Sequence, residues 1–406
     1  MDNKDKNALQ RIFNDDTALL GSQAETFVST VSPYLAVTGE SVMNYLDKGS
    51  VQTIEGMRFF RLSSCTTENV EDLADYLNER MDKLFTAIHS LEDPVAYGVV
   101  SYNGTTNLVI GVKSKESQDV VETLIKGQLT GIELNPYTPN FSSRTTSAHD
   151  GGILSAVPVI KVDDDKQNFD ISTLMRSLNG ENYTVLFMAK PYPREWVQSK
   201  YAEIVKVRDN CFAVSKRNLA NQTNETNTNT DTTSKSSTNT LSVMVGGLAG
   251  PVMGGVTYGH STTESISKAV SKAIGTSETV SHDVQNGIAL ELMSYCDKAI
   301  ERLKQGQNIG MWGTAIAYSA EKKITADIIR ACLCGELAKS CSDILPMQQF
   351  QFSIEDKKQI CIPSLTDSNP LLAPVTSAEL GMICTPPFDA VPDFELKQGK
   401  VYPMIA

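Results

Sequence analysis

The sequence predicts an α+β fold made of two split βαβ modules, the second interrupted by a long polar and glycine-rich insertion. Three observations carry this expectation. Between Met57 and Lys126, apolar runs of strand type and of helical spacing follow one another in the order β-α-β-β-α. A second set of apolar strand and helix patterns runs from Tyr183 to Leu337. Within that set, the chain from Lys216 to Ser242 turns to Asn, Thr and Ser, then switches to an uncharged run, VMVGGLAGPVMGGVTYG, from Val243 to Gly259.

The first module opens with a strand over Met57 to Leu62, which leads through polar residues into a helix with Leu73, Leu77, Leu84, Ile88 and Leu91 at helical spacing. Pro94 ends that region. Val95 to Ser101 then faces Leu108 to Val112 across Asn103-Gly104, the residue pair that suits the positive φ angles of a tight hairpin turn. A helix from Glu116 to Lys126 closes at Gly127, and the strand that completes this ferredoxin-like order is expected within Ile153 to Val162.

In the second module, Tyr183 to Ala189 reads as a buried strand, and Pro191 and Pro193 precede a helix carrying Trp196, Val197, Tyr201, Ile204 and Val205. After the insertion, Ile288, Leu292, Tyr295, Ala299 and Leu303 mark a helix, Ile309 to Tyr318 a strand and Ile324 to Leu337 a further helix. Two helices bracketing a polar excursion predict a hairpin. NLVIGVKSKESQDVVETLIKGQL and GTAIAYSAEKKITADIIRACLCGEL share one strand-turn-helix-glycine plan, as a duplicated module would. The expected divisions are an amino-terminal helical segment over 1–55, the two modules over 56–165 and 166–360 with the insertion at 216–281, and an extended connector over 361–406 with one brief helix near Thr376 to Met382.

The chain's 406 residues, 41% of them hydrophobic, suffice for one large core or two to three smaller ones. A net charge of −12 opposes unspecific attraction to phosphate backbones, so direct binding of nucleic acid is not expected. The amino terminus, MDNKDKNALQRIF, lacks the apolar core of a signal peptide, which points to the cytoplasm. Eight cysteines without the dense spacing of a disulfide scaffold read as reduced, structural thiols. Cys332, Cys334 and Cys341 are clustered, but the first two stand two apart on an expected helix and point to different faces, against a zinc site.

The sequence predicts no catalytic, metal-binding or cofactor-binding residue. GxxxxGK[ST] is absent, so the cradle and lysine that hold nucleotide phosphates are missing. None of His89, His149, His260 and His282 has metalloprotease spacing. Asp163, Asp164 and Asp165 lack the alternation and glycine of a calcium loop and read as a solvated turn, while Trp196 and Trp312 read as packing anchors.

The expected contact with a partner lies in the glycine-rich run, at Val243, Gly246, Gly247, Gly250, Gly254, Gly255 and Tyr258. The run is uncharged over roughly the length of a bilayer span, but six glycines and Pro251 make it a poor helix. It reads as a loop, or as a segment that orders against identical subunits or another partner. Contact with a membrane is the alternative. Beyond it, Ile266, Val270 and Ile274 sit four apart, as in an amphipathic stripe.

The stretch LLAPVTSAELGMICTPPFDAVPDFELKQGKVYPM, Leu371 to Met404, resembles the segment that leads into the P-loop core of bacterial HerA/FtsK-like ATPases, which are allied to type IV secretion ATPases. The matching residues are Thr376 to Leu380, Pro386-Pro387, Val391-Pro392 and the short strand near Phe394 to Leu396, with Gly310-Met311-Trp312 upstream. The resemblance implies the amino-terminal, non-ATPase portion of such a protein. It would assemble a homo-oligomeric ring, or couple a P-loop ATPase domain of the same polypeptide to its DNA or protein substrate. A stand-alone structural or secretion-apparatus protein is the alternative. No nucleotide-binding or catalytic residue carries over, because the P-loop of that family would follow Met404.

Overall fold

The computed structural model describes residues 3–46, 54, 56–67, 72–129, 131–138, 150–162, 165–218, 257–258, 283–340, 345–353 and 362–399. It is an α+β structure. The chain divides into two compact units, one of residues 1–36, 195–251 and 261–304, the other of 37–194, 252–260 and 305–406.

The larger unit contains an eleven-stranded sheet made of two halves with one connectivity. In the first half, β1 (Arg58–Thr67), α2 (Leu73–His89), β2 (Val95–Tyr102), β3 (Thr105–Val112), α3 (Lys115–Gln128) and β4 (Glu133–Tyr137) follow in order. The spatial order is β4-β1-β3-β2, antiparallel at each step. In the second half, β5 (Asp150–Ser155), α4 (Ser172–Ser177), β8 (Tyr183–Pro191), β12 (Met311–Ala320), α7 (Lys323–Ser340) and β13 (Gln348–Ser353) give the matching order β13-β5-β12-β8, again antiparallel, while the short strands β6 (Lys161–Val162) and β7 (Asp165–Lys166) pair with each other between β5 and α4. Each half therefore places two strands joined through a helix around a strand from elsewhere, as a split βαβ arrangement requires. The two related stretches recognised in the sequence, β3-α3 and β12-α7, occupy the same place in both halves.

The halves join edge to edge. β2 and β8 pair antiparallel from Val95↔Ala189 to Ser101↔Tyr183. At this seam, a Cβ on Gly98 would lie 2.0 Å from the carbonyl oxygen of Val185, so only glycine lets the strands approach this closely. The hairpin of the first half turns at Asn103 and Gly104, with φ 51° and 77°, as their sequence predicts.

One face of the sheet carries helices. Tyr97, Phe187, Trp312, Ile316 and Tyr318 are buried on this side, with Phe169 edge-on to Phe187 and Phe85 edge-on to Trp312. On the other face, Phe59, Ala96, Val100, Leu186, Met188 and Ala317 pack with Ile54, Met57 and Ile362. Further along it, Ile153, Ala315, Phe350 and Phe352 pack with Val37, Val42, Leu371 and Leu372. This second face is thus covered by chain from before β1 and after β13, not by a layer of long helices.

Three expectations need correction. The last strand of the first half is β4, not Ile153 to Val162. Leu154 and its neighbours form β5, which pairs with β12 and β13 and opens the second half. β4 escaped notice because it is a half-exposed strand containing Pro136, without apolar alternation. The carboxy-terminal region carries the brief helix expected there, but strands on either side of that helix join the sheet. β14 (Ala373–Thr376) pairs with β12, α8 (Ser377–Ile383) packs against α2, and β15 (Glu395–Gln398) pairs in parallel with β1. The amino-terminal helix α1 (Asn3–Val31) belongs to the smaller unit, together with helices from the middle of the chain. A smaller difference concerns Gly127, which lies within α3 rather than beyond its end.

Candidate functional site

The feature that separates the two halves lies between the second and third strands of each. Where β2 and β3 are joined by a tight turn, the equivalent β8 and β12 are joined by residues 192–310, which carry α5 (Arg194–Ser215), the glycine-rich run and α6 (Gly287–Ile309). This excursion is closed at both ends.

At its base, the Tyr192 N–H donates to the Met311 carbonyl at 2.8 Å. His89, the last residue of α2, binds the same neck. Its Nε2–H donates to Met311 O at 3.0 Å, and its ring stands edge-on to Trp312 with centroids 5.2 Å apart. Burial lowers the His89 pKa below its ordinary 6.5, against the opposing pull of hydrogen bonds to the main chain of Met311 and Tyr192, so the ring is neutral at pH 7. Gly310 bridges α6 and β12 with φ 95°, in a conformation that disfavours a side chain. A Cβ there would also lie 2.5 Å from the His89 ring.

Trp312 is fully buried, and its indole N–H donates to Ser377 Oγ at 3.0 Å, while Ser377 Oγ–H donates to Ile309 O at 2.6 Å. Met311 pairs with Thr376 across β12 and β14. Thr376 begins α8 with a reciprocal cap, its N–H donating to Glu379 Oε2 at 2.6 Å and its Oγ1 accepting from Glu379 N–H at 3.3 Å. Gly310 to Trp312 and Thr376 to Leu380 therefore meet at the neck of the excursion.

The smaller unit contains the shafts of the two helices. Val197, Ile204, Val207, Cys211 and Val214 are buried on α5, and Ala289, Leu292, Cys296 and Leu303 on α6. Along each helix these residues stand three, four or seven apart, the spacing of a coiled-coil seam. On α1, Leu20, Phe27 and Val31 are buried in the same way. Arg208 Nε–H donates to Asp297 Oδ1 at 2.5 Å across α5 and α6, and Thr30 Oγ1–H donates to Glu203 Oε2 at 3.2 Å across α1 and α5. The buried stripes are rotated from those expected, since Trp196, Tyr201, Val205 and Tyr295 are only partly buried. Cys211 and Cys296 are neighbours in this seam. Burial pushes the Cys211 thiol up to about 11, and burial together with Cys211 pushes Cys296 up to about 12.

At the far end, β9 (Lys216–Asn218) pairs antiparallel with β11 (Asp283–Gln285), and the Asn286 N–H donates to Ser215 O at 3.3 Å. The Asn286 side chain caps α6, accepting from the N–H groups of Ile288 and Ala289 at 3.1 and 3.3 Å. Asn218 and Asp283 face each other directly, so the residues between them begin and end at one paired rung.

Of the expected contact residues, Val243, Gly246, Gly247, Gly250, Gly254 and Gly255 lie outside the described residues, as do Ile266, Val270 and Ile274. Tyr258 lies in β10 (Thr257–Tyr258), which adds to the outer edge of β13, Thr257 opposite Gln351 and Tyr258 opposite Phe350. Nothing in the sequence marked β13 as the acceptor, because backbone hydrogen-bonding groups on a sheet edge have no side-chain signature.

Other polar features lie on the helix-bearing side of the second half. Gln351 Nε2–H donates to Asp327 Oδ1 at 2.9 Å, and Cys334 Sγ–H donates to Gln349 Oε1 at 3.4 Å. A groove of ≈ 210 Å³ between α4 and α7 is bordered by Phe169, Asp170, Leu174, Cys332 and Glu336. Among the described residues, no three histidine, cysteine or carboxylate side chains form a group able to hold a metal ion. No described helix is long and apolar enough to cross a membrane. Against known proteins, no family model matches this chain, and no curated protein matches it.

Proposed function

We propose that this chain is a non-catalytic assembly or substrate-coupling module of a HerA/FtsK-like translocating ATPase, with the excursion between β8 and β12 as its contact element. The observation that supports this reading is the asymmetry between the halves. One joins its second and third strands by Asn103-Gly104, whereas the other joins equivalent strands by a helical pair sealed at Tyr192–Met311 and again at Asn218–Asp283. A stable fold does not need such an excursion, since the first half closes without one. The stretches on which the resemblance rests, Gly310 to Trp312 and Thr376 to Leu380, meet at its base. With a net charge of −12, the contact is with protein, in a homo-oligomeric ring or in coupling to the motor domain, rather than a direct grip on DNA.

The test uses the full-length polypeptide encoded by the gene, with and without residues 219–282. Light scattering and nucleotide-hydrolysis assays should show loss of the ring, or loss of substrate-stimulated turnover, on deletion. A protein that stays monomeric in both forms, with turnover unchanged, overturns the proposal.

A further inference from the structure

Among the described residues, the outer edge of the sheet at β13 is filled over two positions. All six residues of β13 pair with β5 on the inner side, from Gln348↔Ser155 to Ser353↔Asp150. On the outer side, among the described residues, only Phe350 and Gln351 pair, and their partners are Tyr258 and Thr257 of the glycine-rich run. An edge strand with exposed N–H and C=O groups is a template for another strand, and it recognises backbone rather than side chains.

The donor strand is tethered by long segments, 219–256 on one side and 259–282 on the other. The number of residues in the shorter segment sets an upper bound on its span on the order of 80 Å. The same ladder can therefore form with the β13 of a neighbouring molecule. Pairing within one chain and between chains makes identical hydrogen bonds, so exchange costs little beyond the entropy of association. Donor and acceptor are different surfaces, so the exchange is either reciprocal, giving a two-fold dimer, or head to tail, giving a ring where the rotation closes and an open chain where it does not.

We infer that the outer edge of β13 is an acceptor site for the Thr257–Tyr258 strand of a second copy of this chain, the pairing within one chain being its closed form. The inference rests on the assembly role proposed above and supplies its contact. The test mixes full chains carrying Thr257→Cys with differently tagged full chains carrying Gln351→Cys under mild oxidation. Directly opposed residues of antiparallel strands have Cα separations of about 4.5–5.5 Å, within the range a disulfide spans.

The expected result is a disulfide-linked species bearing both tags. It should be absent when either introduced cysteine is omitted, and reduced at least about tenfold when Tyr258→Pro is added to the donor, since proline removes a ladder donor. Bond formation only within a chain carrying both cysteines overturns the inference. Light scattering on the same samples separates the two readings. Closed rings without the mixed species overturn strand exchange and leave the ring standing, whereas the mixed species in dimers or open chains overturns the ring and leaves strand exchange standing.

Discussion

The Tyr192 N–H meets the Met311 carbonyl at 2.8 Å, and the same carbonyl accepts from His89 Nε2–H at 3.0 Å. One oxygen thus ties the end of β8, the start of β12 and the end of α2 together, at the base of the excursion that distinguishes the two halves of the sheet.

The neutral state of His89 makes this junction sensitive to acid. Its folded pKa is lowered from 6.5, primarily by burial, so between the folded and unfolded values the unfolded chain binds more protons. The contribution of His89 is therefore complete above about pH 6.5 and is lost as pH falls through that value towards the folded pKa. Urea midpoints measured from pH 8 to pH 5 should decline over this window, and His89→Gln should flatten that part of the curve. An equal decline in the variant would assign the effect to other groups.

The seam between the halves tolerates no side chain at Gly98. The Cβ of Gly98→Ala would stand 2.0 Å from Val185 O, a backbone atom that cannot move without shifting β8. Overpacking of this kind costs about 1–3 kcal/mol or more, and the upper end is expected here. Gly335→Ala, at an α7 position where a Cβ meets nothing within 4 Å, should instead stabilise by roughly 0.5–1 kcal/mol. Thermal melts of both variants decide the matter, and a neutral Gly98→Ala would contradict the close pairing of β2 and β8.

The paired rung Asn218↔Asp283 allows the insertion to be removed cleanly. Replacing residues 219–282 by Asn-Gly gives a two-residue turn between antiparallel strands. The shortened chain should fold with the far-ultraviolet signature of α5 and α6 retained, and with a melting temperature within a few degrees of the parent. A collapse in helicity would mean that the helical pair depends on the segment it carries.

The thiols should react in order of their surroundings. Cys65, Cys211, Cys296 and Cys384 are buried, with pKa values raised by burial, to about 11 for the first two and about 12 for Cys296, whereas Cys332 is partly exposed. The thiolate is the reactive form. Among these five, iodoacetamide at pH 8 should modify Cys332 first in the native protein, as peptide mass spectrometry would show. Early labelling of Cys211 or Cys296 would mean that the α5–α6 seam opens readily.

The sequence by itself determined the local elements. Helical spacing gave α2, Asn103-Gly104 gave the β2–β3 turn, and a change of composition marked the insertion, because these signals lie within a few residues of what they specify. Tertiary structure decided which strand belongs to which half. β4, with Pro136 and half-exposed residues, has no pattern of its own and is a strand because β1 lies beside it. β5 joins the second half, and β14 and β15 find partners in β12 and β1, through backbone pairing across long stretches of chain. The buried stripes of α5 and α6 likewise emerged only when the helices packed, since Trp196 and Tyr295 are apolar enough to suggest a different face. The physical reason is the same throughout. Spacing and turn chemistry are local properties of the chain, whereas pairing and burial are properties of two segments at once.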